Sequence, residues 1–142
     1  MPYPQEYQIA TIQFNDFLSD VKRNASLATS HMVYTMTQSV LQVFRRRLTV
    51  SDAIRFSNIL LAAIRALFVA DWDPDEGVVA FMERSAMLEE IMSLRTEHNF
   101  AFMTDDAILD VAKALRKHVD CDKLDELLKR FPDGALQFWQ VE

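Results

Sequence analysis

The stretch VLQVFRRRLTVSDAIRFSNILLAAIRALFVADWDP, Val40 to Pro74, carries the pattern from which the architecture follows. Val40, Val43 and Phe44 lie on one face of a helix that continues back through Met36, Val33 and Met32 to about Thr29. Three arginines, Arg45, Arg46 and Arg47, close that helix, where cations favour the negative end of the dipole. Leu48-Thr49-Val50-Ser51 is a short connection whose hydroxyls suit helix N-caps. Beyond it Phe56, Leu60, Ala63, Ile64, Leu67 and Phe68 recur at helical spacing, which predicts one helix from about Asp52 to Val69. From Ile59 to Ala70 only Arg65 is polar, so this helix is expected to be central and buried on most sides.

The same period runs outward in both directions. Phe14, Phe17, Leu18 and Val21 mark an earlier helix. After Val69 the chain turns abruptly acidic, with Asp71, Asp73, Asp75 and Glu76 around Trp72 and Pro74. Pro74 disfavours helix at Asp73 and is a good residue for starting the next one. A long helix is therefore expected from about Asp75 to Glu97, with Phe81, Met82, Ser85, Leu88, Ile91 and Met92 inward. A further helix follows from Asp105 to Val119, capped by Thr104, then a shorter one from Lys123 to Phe131, capped by Asp120 or Asp122. Pro132 stops it, and Leu136, Phe138 and Trp139 close the chain in a last turn. The fold class is all-α: a bundle of six to seven helices in one domain, residues 1–142.

Shifting the chain by 71 positions sets Val40 on Val111, Phe44 on Leu115, Arg45 on Arg116, Arg46 on Lys117 and Leu48 on Val119. Thr49 then meets Asp120, Phe56 meets Leu127, and Phe68 meets Trp139. Identities are few, but the punctuation is shared: apolar helix, basic end, polar cap, apolar helix, aromatic close. This predicts two pseudo-repeated halves, about 12–70 and 76–140, that bury their apolar faces together. Trp72 and Trp139 are expected to be buried in comparable settings.

The quoted stretch, with LRTEHNF, DVAKALRKHVD and FPDGALQFW further on, resembles the bacterial domain-of-unknown-function family numbered 2267, over about residues 12 to 140. That family commonly has Leu-Pro in its third helix. Here Leu60-Leu61 stands in the first half and Phe131-Pro132 in the second. The resemblance implies a small all-helical bacterial protein of the cytoplasm. It carries over no catalytic residue.

Composition bounds the function. The net charge is -6, which disfavours a nucleic-acid partner, because phosphate binding rests on Lys and Arg. One cysteine, Cys121, rules out an intrachain disulfide and fits a reducing cytoplasm. Asn24 to Phe44 lacks charged residues, yet its many Ser, Thr, Asn and Gln side chains argue against a membrane span. No glycine-rich phosphate loop occurs, and His31, His98 and His118 lack metal-ligand spacing. Asp71, Asp73 and Asp75 alternate as in a calcium loop, but glycine and the closing acid are missing at the required places, leaving a turn between helices. No catalytic, cofactor or metal site is expected, and the balance leans away from an enzyme.

Two groups remain as interaction candidates: Arg45, Arg46 and Arg47, which would suit an anionic surface, and Glu97, His98 and Asn99 at a helix end. Each also has a plain structural role as a helix terminus. The expected function is a non-enzymatic protein-interaction or scaffold module; the alternative is a small-ligand binder with a pocket between the halves. With 10 Phe, 2 Trp and 7 Met in 142 residues, a homodimer joined through helix faces is expected to cover surplus apolar surface.

Overall fold

The computed structural model describes residues 3–25, 30–94 and 106–141, and among them it is entirely helical. The elements are α1 (Gln5–Gln8), α2 (Ala10–Ala25), α3 (Ser30–Arg45), α4 (Val50–Ser57), α5 (Ala62–Val69), α6 (Arg84–Ser93), α7 (Ala107–Lys117), α8 (Cys121–Leu128) and α9 (Ala135–Phe138). The all-α bundle is as expected, with α1 and α9 adding single turns. No described helix is long and apolar enough to cross a membrane.

Three helices differ from the sequence expectation. The central helix is two, α4 and α5. Asn58, Ile59 and Leu60 close α4 with tight turns, and Arg65 donates to the carbonyls of Ser57 and Leu60 at 3.1 and 3.2 Å. Leu61 then opens α5 at φ -58°, the value a proline would fix. α5 also leaves Ala66 and Val69 exposed, so it is not covered all round.

The second difference is the segment after α5. Instead of starting a helix at Asp75, the chain turns. Asp71 takes a left-handed φ of 55°, and the Asp73 carboxylate accepts from the Asp75 N–H at 2.9 Å. Residues 77–83 then run non-helically across the end of α3, where the Val79 N–H donates to the Arg46 carbonyl at 3.1 Å. Helix resumes only at Arg84. That shift changes the inward face: Met87 and Ile91 are buried, while Met82, Ser85 and Met92 are exposed. The third difference is α7, which is capped by Asp106, whose carboxylate accepts from the Leu109 N–H at 3.0 Å. Thr104 lies outside the described residues.

Applied to α4, Val50–Ser57, the shift of 71 returns Cys121–Leu128, the bounds of α8. Thr49 and Asp120 cap these two helices through their side chains. Two helix contacts cross between the halves: α2 of the first lies on α7 of the second, and α6 of the second lies on α3 of the first. α4 also meets α8. At the centre Phe44 touches Phe56, Phe138 and Trp139, with ring centroids 4.8, 5.0 and 5.2 Å away. Aromatic pairs at such distances add attraction beyond their buried area. Gly134 is required beside this cluster: its φ is +105°, and a Cβ there would lie 2.6 Å from the Phe81 Cβ.

Candidate functional site

The basic ends of α3 and α7 are built alike. Arg45, at the last position of α3, is buried and donates through Nη1 to the carbonyls of Phe68 and Ala70 at 2.9 and 3.0 Å. It therefore caps the C-terminus of α5, where carbonyls lack partners within the helix. Arg116, its counterpart 71 positions on, donates through Nε to the Trp139 carbonyl at 2.7 Å. Burial pulls the Arg45 pKa down against the opposing pull of Glu76 and Asp71. Burial also lowers that of Arg116, but the Asp125 carboxylate at 2.8 Å more than offsets this and raises it.

The next two residues of each triplet reach across to the opposite half. Arg46 and Arg47 share the carboxylate of Glu90 on α6 at 2.8 and 2.7 Å. Lys117 and His118 share the carboxylate of Asp20 on α2 at 3.2 and 2.7 Å. Glu90 and Asp20 fall one position apart under the shift of 71. Burial would raise the Asp20 pKa; the hydrogen bonds from His118, Arg23 and Lys117 win and bring it to about 2. Both acids sit on apolar helix faces, Asp20 one turn after Phe17 and Glu90 one turn after Met87. An acid on an apolar helix face is the signal by which the sequence marks them.

Beside Arg45 the chain forms a crevice. Leu48, Val50, Trp72, Pro74, Gly77 and Val78 line it, with Arg46 and Glu76 at its edge. The Arg45 guanidinium lies over the Trp72 ring, 5.3 Å from its centroid, in cation–π contact. Arg46 Nε donates to Glu76 at 3.0 Å and fixes the turn against α3. The enclosed space is about 30 Å³, room for a water or the tip of one side chain. Trp72 is half-buried here, whereas Trp139 is fully buried in the aromatic centre, so the two do not share a setting. The reason is the left-handed turn at Asp71, which swings Trp72 off the axis of α5 toward the surface.

The structure thus gathers Arg45, Arg46 and Arg47 but spends Arg45 and Arg47 inside the fold, leaving Arg46 a third exposed. Glu97, His98 and Asn99 lie outside the described residues. Trp72, Val50 and Val78 were not singled out together by the sequence, because their meeting depends on the non-helical path of residues 77–83. Cys121 opens α8 and donates its thiol to the Arg116 carbonyl at 3.1 Å. Among the described residues no cluster of His, Cys, Asp and Glu is placed to hold a metal ion.

These features define a class: an all-α helical bundle in which the basic ends of α3 and α7 are tied to other helices by ion pairs. The family described as "Uncharacterized conserved protein (DUF2267)" matches residues 14–138, and the chain belongs to that family. A comparison with curated proteins finds no match.

Proposed function

We propose that this protein is a non-enzymatic, cytoplasmic interaction module that grips a protein partner at the Trp72 crevice. One observation carries the reading: Val50 and Val78, 42% and 56% exposed, flank a half-buried tryptophan whose surroundings are held by Arg45, Arg46 and Glu76. Aromatic anchors framed by arginine are the side chains most often found at the centre of protein interfaces. A crevice of about 30 Å³ is an order of magnitude too small for a metabolite. Asp71, Asp73 and Asp75 around it repel phosphates and support a protein partner over a nucleic acid.

The experiment is capture from native cells with the wild type, Trp72→Ala and Val78→Lys side by side. A partner held reproducibly by the wild type and lost by both variants supports the reading. A partner set that ignores both substitutions, or none at all, rejects it. The alternative, a small ligand between the halves, has in its favour an open groove of about 340 Å³ between α4 and α8. Against it, aromatic rings fill the interior where the halves meet. Native mass spectrometry of freshly purified protein separates the two, since a retained small molecule favours the alternative.

A further inference from the structure

The face made by α4 and α8 points to a partner of its own. Its groove has an apolar floor, Ile59 and Leu127, between charged walls that include Arg55, Lys123, Glu126 and Arg130. Apolar side chains on the floor of an open groove mark a surface suited to association.

The charges say which occupant fits. Asp52 and Arg55 stand one turn apart on α4, and Lys123 and Glu126 hold the equivalent places on α8 with the signs reversed. Lys123, Glu126 and Arg130 make no ion pair among the described residues, and the Asp52–Arg55 pair is a surface contact within one turn. Opposite charges three residues apart are self-complementary when a helix meets its own copy antiparallel: the acid of each faces the base of the other. A two-fold axis produces that antiparallel meeting. α8 carries its opposite charges at the same three-residue spacing as α4, so it too is self-complementary against its own copy. A partner with only one such helix would satisfy half of the pattern.

We propose that a second copy of this chain docks on the α4/α8 face, giving an isologous dimer with each of the two helices antiparallel to its copy and Ile59 and Leu127 at the apolar centre. This goes beyond the crevice reading and uses a separate test. Size exclusion with light scattering at micromolar concentration is expected to give a two-chain mass for the wild type. Asp52→Lys and Arg55→Glu, each alone, set like charges opposite one another and are expected to weaken the dimer about tenfold or more, toward a one-chain mass. An equimolar mixture of the two variants is expected to recover the two-chain mass, because the introduced lysine of one then faces the introduced glutamate of the other. Trp72→Ala is expected to leave the dimer intact, so failure of the crevice reading leaves this result standing. A wild type that stays at one chain on tenfold concentration overturns the proposal. So does a dimer indifferent to both face substitutions, or a mixture that stays at one chain.

Discussion

Arg47 gives two guanidinium nitrogens to one carboxylate, that of Glu90, at 2.7 and 3.1 Å, from a side chain with no exposed surface. The pair ties the end of α3 to α6 in the other half. Removing one member of a buried ion pair leaves a charge without water or partner. Glu90→Ala is therefore expected to destabilise the fold by about 3–5 kcal/mol in urea unfolding. The double variant Glu90→Leu with Arg47→Met is expected to recover most of that loss, because it strands no charge at Arg47. A double variant as unstable as Glu90→Ala would show that packing, not charge, sets the cost.

Asp20 makes the matching lock pH-dependent. Its folded pKa is about 2, below the 3.8 of an unperturbed aspartate. Such a group holds its proton less readily when folded, so its contribution is complete above 3.8 and disappears as pH falls toward about 2. The contribution is about 2 kcal/mol. Asp20→Asn is expected to lower stability at pH 6 and to flatten the acid limb of a plot of urea midpoint against pH. Parallel acid limbs for the two proteins would count against the role given to Asp20.

Gly134 allows no side chain. Its φ of +105° is strained for any L residue, and a methyl group would collide with Phe81. Gly134→Ala is expected to cost about 3 kcal/mol, from backbone strain and overpacking together. Thermal unfolding reads this directly. Phe81→Ala in the same chain removes the ring but keeps the Cβ 2.6 Å away and leaves the φ unchanged, so it is not expected to restore the melting temperature.

The two tryptophans report different places. Iodide is expected to quench Trp72 and to spare Trp139, which has no exposed surface. The Trp72→Phe protein should then show little quenching in the folded state and full quenching in urea. Strong quenching of that variant when folded would contradict the burial of Trp139.

Much of this architecture is legible in the residues. The caps at Thr49 and Asp120, the basic ends of α3 and α7, and the shift that relates the halves are local patterns, and local patterns survive folding. What is not legible arises between distant segments. The break at Asn58 is hidden because Ile59, Leu60 and Leu61 keep an apolar run going, while the Arg65 side chain that stabilises the break acts from the following helix. Gly77, Val78 and Val79 are poor helix formers, a warning against the long helix, but their path is set by Arg46 and by the space that Gly134 leaves for Phe81. The arginine triplet is visible as a charge cluster. That two of its members are buried is not, since their partners, Glu90 and the carbonyls of Phe68 and Ala70, lie more than 20 positions away.

The reciprocal packing of the halves also sets a timetable for biosynthesis. α2 finds its cover on α7, so Phe17 and Val21 must wait until residues near Lys117 have been made and have left the ribosome. α3 waits likewise for α6. A nascent chain ending at Val69 can pack α2, α3 and α5 on one another, but it leaves open the faces that α7 and α6 cover. Contacts this far apart along the chain slow folding and lengthen the exposure of unpaired apolar faces. The first half is thus a natural client for whatever shields emerging chains, until the second half arrives to close over it.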